Sequence, residues 1–271
     1  MKFVEKLIGS ITRRKSLLCV GLDPPQELVE RLGFASYAEF NQAIVEATGD
    51  YACVYKPQFA HYAAVGRERD LEATFAGIRK ALPDTPVILD AKRGDIGNTA
   101  IQYAREAFER YGADAVTVNA YMGLDTLQPF VSYADRGVVV LIKTSNPGSG
   151  DFQDLELASG GPLYLAVARG AAKLGDNVAF VVGATYPQPL RTLRENFPNT
   201  VFLIPGIGTQ GGDLEQVVAA GLDRYGRGIL INASRGILQA DEGKAGRARY
   251  LAAVGEAART LRDRINQLRP G

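Results

Sequence analysis

The segment from Val87 to Asp95 concentrates the charged residues of the chain that could do chemistry: Asp90, Lys92 and Asp95 follow a run of apolar residues at one-residue and two-residue intervals. Side chains alternate along a strand, so Ile88, Asp90 and Lys92 are expected on one face and Val87, Leu89 and Ala91 on the other. Asp95 falls where the strand gives way to the next helix. Lys56, at the end of the preceding apolar run, can reach the same space. An alternating Lys56, Asp90, Lys92, Asp95 cluster would keep Lys92 an ammonium. Two unit charges about 4 Å apart at an effective dielectric near 20 attract by about 4 kcal/mol. Such a lysine is a proton donor and a stabiliser of negative charge on carbon, not a Schiff-base nucleophile. The plainer reading of the same residues is a structural ion network at a strand end.

A second group lies near the C-terminus. Pro205, Gly206, Ile207, Gly208, Thr209, Gln210, Gly211 and Gly212 form one glycine-rich stretch, and Asn232, Ala233, Ser234, Arg235 and Gly236 form another. Glycines let backbone N–H groups approach an anion, and an arginine can grip phosphate through two hydrogen bonds. Ordinary turn chemistry is the competing explanation.

These groups need elements to carry them. Eight short apolar runs recur along the chain: Leu17–Leu22, Ala52–Tyr55, Pro86–Ala91, Ala115–Val118, Val138–Ile142, Val178–Val182, Thr200–Ile204 and Gly228–Asn232. Their length and lack of alternation fit buried parallel strands. Helical spacing fills the intervals: Leu71, Phe75, Ile78 and Leu82; Ile101, Ala104, Phe108 and Tyr111; and a long stripe of Leu251, Val254, Ala258, Leu261, Ile265 and Leu268. The pattern predicts an α/β fold, a single-domain (β/α)8 TIM barrel over 1–271, with chemistry at the C-terminal strand ends. A doubly wound sheet would favour a Gly-x-Gly-x-x-Gly turn after its first strand; here that turn reads Gly21, Leu22, Asp23, Pro24, Pro25. Residues 143–161 are rich in Gly, Ser, Asn and Pro and too long for a usual connection, which points to a lid over the site.

Composition narrows the partners. The chain has 271 residues with 31 Lys plus Arg against 30 Asp plus Glu, a net charge of +1. That balance excludes a general polyanion or nucleic-acid binder. No run is long enough to span a bilayer, and the N-terminus does not read as a signal peptide. Two cysteines make no disulfide framework, as expected of a cytoplasmic protein, and strand parity puts Cys19 and Cys53 on opposite sides of the wall. A single histidine, His61, leaves no room for a histidine-rich metal site or an ordinary catalytic triad and is expected to be structural or merely near the mouth.

Asp90, Ala91, Lys92, Arg93, Gly94 and Asp95 resemble the Asp-x-Lys-x-x-Asp signature of the orotidine 5′-phosphate decarboxylases. Asp23 and Lys56 stand at the matching first- and second-strand positions. Lys143, Thr144, Ser145, Asn146, Pro147, Gly148 and Ser149 resemble the fifth-strand motif of the type 2 subfamily, and the two glycine-rich stretches resemble its phosphate loops. The resemblance runs from the first strand to the eighth.

It implies decarboxylation of orotidine 5′-phosphate to UMP with no metal or organic cofactor. Lys92 would protonate C6 and Asp90 would sit by the departing carboxylate. Lys56 and Asp23 would hold ribose hydroxyls, Ser145 the pyrimidine, and Gln210 and Arg235 the phosphate. Asp95 and Thr99 would enter the active site of a partner subunit, making a homodimer. Two alternatives remain open: a metal-dependent sugar-phosphate lyase or synthase of the same barrel group, whose second strand ends in a metal-binding acid where Lys56 stands here, and a non-catalytic nucleotide-binding barrel.

Overall fold

The apolar runs do become strands, each hydrogen-bonded to parallel neighbours. In the computed structural model, which describes residues 1–207, 212–241, 243–244 and 246–270, the strands are β1 (Leu18–Leu22), β2 (Val54–Pro57), β3 (Ile88–Arg93), β4 (Ala115–Val118), β5 (Gly137–Lys143), β6 (Val178–Val182), β7 (Phe202–Ile204) and β8 (Ile229–Ala233). Their order in the sheet is β2-β1-β8-β7-β6-β5-β4-β3. The edges meet through parallel bridges from Tyr55 to Val87 and from Gln58 to Asp90, which close the barrel. Helices follow the strands and cover the outside, as a βαβ chain requires. The fold is therefore the expected single-domain TIM barrel. Its boundaries shift by a few residues: β2 and β3 run on through Lys56 and Lys92, so both lysines belong to strands.

Two features depart from the simple pattern. The stripe from Ile101 to Tyr111 does not turn Ile101 inward. Ala100 and Ala104 are buried on the helix Gly97–Arg105, whereas Ile101 is 39% exposed. The helix then widens into a π-helical turn, Glu106–Arg110, which lets Phe108 and Tyr111 reach the core. The second departure is in β3. Leu89 pairs with Val116 and Arg93 with Val118, so Asp90, Ala91 and Lys92 lie opposite Thr117 alone. Lys92 takes up this excess with a left-handed backbone, φ +48°. Strict alternation therefore ends at Asp90.

The two cysteines are buried and unpaired. The Cys19 thiol lies against Asn232, and burial pushes it up to about 12, aided by nearby Asp90 and Asp23 and opposed by Lys56. Among the described residues no helix is long and apolar enough to cross a membrane.

At the N-terminal ends of β7 and β8 a buried cation takes the place of a hydrophobic plug. Arg194 donates to the carbonyls of Phe197, Pro198, Thr200, Gly221 and Gly228 and lies over the Phe202 ring at 3.9 Å. Five carbonyls would lose the Arg194 donor in Arg194→Met, although those of Phe197 and Gly228 keep the backbone N–H groups of Thr200 and Phe202. That variant should lose about 3 kcal/mol in urea unfolding while keeping the wild-type kcat, because the charged strand ends lie at the opposite side of the barrel.

Candidate active site

The C-terminal ends of β2 and β3 bring two ammonium groups to one carboxylate. Lys56 Nζ lies 2.9 Å from Asp90 Oδ2, and Lys92 Nζ lies 2.6 Å from Asp90 Oδ1. Thr117, on β4, donates from Oγ1 to Asp90 Oδ1 at 2.8 Å and accepts the Lys92 N–H at 2.9 Å. Lys56 and Asp90 are buried; the Lys92 side chain is 45% exposed and faces the open mouth. Burial works against the charge of Lys56, but the carboxylates of Asp90 and Asp23 outweigh it and hold the ammonium above its ordinary range. Burial likewise opposes ionisation of Asp90, and the two lysines overcome it, holding the carboxyl far below the usual carboxylate range.

Within one chain, Asp95 stands apart from the line that Lys56, Asp90 and Lys92 form. Asp95 Oδ1 accepts the N–H of Ile96 at 2.8 Å, and among the described residues its carboxylate makes no ion pair with Lys92 of the same chain. It sits just before the helix Gly97–Arg105, with Thr99 exposed on that helix. Arg93 anchors this segment. Its guanidinium pairs with Glu106 through both arms and lies between the rings of Phe59 and Tyr103, at 4.3 and 4.6 Å.

Asp23 follows β1. Its Oδ2 accepts from Ser234 Oγ at 2.7 Å, while its Oδ1 is buried with no hydrogen-bond partner among the described residues. Gly21 makes this approach possible: a Cβ there would come within 2.7 Å of Ser234 Cβ. The same device works at Gly183, whose Cβ would meet the Ser145 backbone at 2.8 Å. Ser145 thereby lies against the end of β6, its carbonyl accepting from Thr185 Oγ1 at 3.4 Å.

A cleft of about 1100 Å³ runs from Asp23 and His61 to Gly206, Gly212, Ser234 and Arg235. It joins the two glycine-rich stretches, and Asp23 links it to the lysine cluster. Gly206 has φ +102°, and a parallel bridge from Ile207 to Gly212 brings the ends of the β7 loop together. Gln210 lies outside the described residues. His61 is exposed at the rim of the cleft and is not built into the core. Among the described residues no three His, Cys, Asp or Glu side chains gather as a metal ion would need.

The 143–161 segment is more ordered than its composition implies. It contains a 3-10 turn, Pro147–Ser149, and a short helix, Gly150–Gln153, and it ends in a bridge from Glu156 to Pro162. Lys143, 1% exposed at the end of β5, ties it down with bonds to Ser149 Oγ at 3.0 Å and Asp154 Oδ2 at 2.8 Å, beneath the Tyr186 ring. Neither Lys143 nor Thr117 was singled out by spacing. Thr117 sits in an unbroken β-branched run, and Lys143 reads as the first polar residue of a loop.

Eight parallel strands with an ammonium–carboxylate–ammonium line at their C-terminal ends define a TIM-barrel enzyme. Comparison with known proteins makes the assignment narrower. Residues 16–250 match the model of the orotidine 5′-phosphate decarboxylase / HUMPS family, and the chain belongs to that family. An orotidine 5′-phosphate decarboxylase of Bordetella pertussis is 49% identical over 278 aligned positions, covering 99% of this chain and all of that protein. The solved OMP decarboxylase of Leishmania donovani superposes with a TM-score of 0.82 at 39% identity, covering 99% of this chain and 98% of that one. The UMP synthase of the same organism gives 0.85 at 39% identity, covering 99% of this chain but 56% of the longer protein.

The buried pair sets a test of stability. In Asp90→Asn the Lys56 ammonium is left without its nearest counter-charge, and unfolding at pH 7 should cost about 3 kcal/mol less than in wild type. Because the folded Asp90 carboxyl lies below its unfolded value of about 3.9, its contribution is full at neutral pH and is lost as pH falls below that value. The raised Lys56 adds the opposite dependence, lost only as pH rises past about 10.4. Urea midpoints from pH 7 to pH 3 should therefore show the gap between variant and wild type closing on the acid side.

Proposed function

We propose that this chain is an orotidine 5′-phosphate decarboxylase, converting that nucleotide to UMP and CO2 in pyrimidine biosynthesis. The observation that carries the reading is the Asp90 carboxylate held between Lys56 and Lys92 at a TIM-barrel mouth. Full-length relatives at nearly half identity support it. Within the family, Lys56 at the end of β2 favours the decarboxylase over the metal-dependent sugar-phosphate branch.

The chemistry suits the geometry. Heterolysis of the C6–carboxylate bond releases CO2 and leaves an electron pair in the plane of the pyrimidine, where the π system delocalises it poorly. A fixed ammonium beside C6 stabilises that pair as it develops. Lys92 then delivers a proton from Nζ to C6, and the freed amine regains a proton from solvent at the open mouth. Asp90 lies where the substrate carboxylate would depart, and it orients both lysines.

The unpartnered Asp23 Oδ1 suits a ribose hydroxyl donor, with Lys56 near enough to share the sugar. Arg235, with Gln210 of the adjoining loop, takes the phosphate, and Ser145 meets the pyrimidine. No step requires a metal or organic cofactor. The 143–161 segment acts as the lid. Phe152 and Leu155 are exposed on it and available to cover a bound nucleotide, while Lys143 fixes its root. Phosphate contacts remote from C6 can then drive closure.

The enzyme works as a homodimer. Ile96, Ile101, Tyr121 and Met122 are exposed around Asp95 and Thr99, an apolar surface suited to a second copy of the chain. Since Asp95 makes no ion pair with Lys92 of its own chain, it is free to complete the partner's site together with Thr99.

In Lys92→Ala, kcat should fall about 10⁴-fold with the fold intact by circular dichroism, followed by the absorbance loss as orotidine 5′-phosphate becomes UMP. Near-normal turnover would refute the assigned role. Subunit sharing has its own check. Mixed Lys92→Ala and Asp95→Ala protomers should regain activity, because each hybrid dimer holds one intact site; no recovery after demonstrated subunit exchange would exclude the shared site.

A further inference from the structure

We infer that Thr117 is the positioning residue that sets where the Lys92 ammonium stands. The inference rests on the decarboxylase reading of the site but not on any family property of Thr117. Between Leu89 and Arg93 the β3–β4 ladder lapses, and three residues of β3 face Thr117 alone. At such a lapse a backbone N–H loses its strand partner. Lys92 is the residue affected, and its backbone is left-handed, φ +48°, a conformation that costs a non-glycine residue about 1 to 3 kcal/mol.

One hydroxyl answers both needs. Thr117 Oγ1 accepts the Lys92 N–H at 2.9 Å and donates to Asp90 Oδ1 at 2.8 Å, while Lys92 Nζ returns to that same oxygen at 2.6 Å. The result is a closed ring in which main chain, side chain and counter-ion of Lys92 are fixed by one buried threonine, 1% exposed. A hydroxyl is required because it both donates and accepts; a methyl group of the same shape does neither. Without it the N–H at position 92 is an orphan, and the strained backbone loses its one tie at the bulge itself, the Arg93 anchor lying a residue further on. The ammonium then shifts relative to C6. A misplacement of about 1 Å can cost roughly 10²-fold in rate. The proposed Asp23 and Arg235 contacts, at the ends of β1 and β8, are untouched, and Lys56 keeps its own bond to the other Asp90 oxygen.

The experiment compares wild type, Thr117→Val and Thr117→Ser in steady-state decarboxylation of orotidine 5′-phosphate. Thr117→Val should lower kcat about 100-fold with KM within about twofold. Thr117→Ser, which keeps the hydroxyl, should stay within about threefold of wild type. A valine variant with wild-type kcat overturns the inference, as does a serine variant as slow as valine, or a rise in KM at unchanged kcat. If Thr117→Val does not fold, Thr117→Cys, similar in size with a weaker donor, replaces it: intermediate kcat supports the ring and full kcat overturns it. Absence of turnover in the wild type would instead defeat the decarboxylase reading itself.

Discussion

Everything at the mouth of this barrel depends on one buried carboxylate. Asp90 is placed among apolar strands where ionisation is costly, and it ionises because Lys56 and Lys92 close on its two oxygens. In turn it keeps Lys56 charged although that lysine is buried. Neither charge is sustainable there alone. The interdependence makes the array stiff: moving one member exposes another to an uncompensated field. Stiffness is what a stabiliser of a developing carbanion needs, since dipoles and charges that are already oriented need not reorganise as the bond breaks.

Around this centre the barrel shares out tasks by strand. β2 and β3 supply the charges, β4 the hydroxyl that braces them, β1 and β8 the Asp23–Ser234 contact, and the segments after β7 and β8 part of the wall of the cleft. Close packing of these ends is set by absent side chains as much as by present ones. Gly21 and Gly183 let Ser234 and Ser145 come nearer than any Cβ would permit.

Much of this was legible in the sequence. Eight apolar runs found eight strands, because a buried parallel strand needs an uninterrupted apolar stretch rich in β-branched residues, whereas the apolar stretches at 163–168 and 250–254 are rich in Ala and Leu and are helical. Lys56, Asp90 and Lys92 were legible because charges at the ends of such stretches have few other reasons to be there. The bulge in β3 was not: register between strands is a property of two segments, and β3 alone reads as regular alternation. Thr117 was hidden for the same reason, since its hydroxyl matters only opposite the bulge. Ile101 shares its helical spacing with Ala104, Phe108 and Tyr111, yet the structure leaves it exposed while those three are buried. Helical period alone does not distinguish a face that packs inward from one that awaits another surface. Lys143 reads as part of a loop because a buried ammonium has meaning only once Asp154 and Ser149 fold back onto it.

The left-handed backbone at Lys92 has a consequence for how the protein can change. A residue without Cβ would rest there with little strain, so the conformation itself favours glycine over the lysine that occupies it. The chain thus keeps at the end of β3 a residue that its own backbone disfavours, and a glycine there would relieve the strain only by giving up the ammonium beside Asp90.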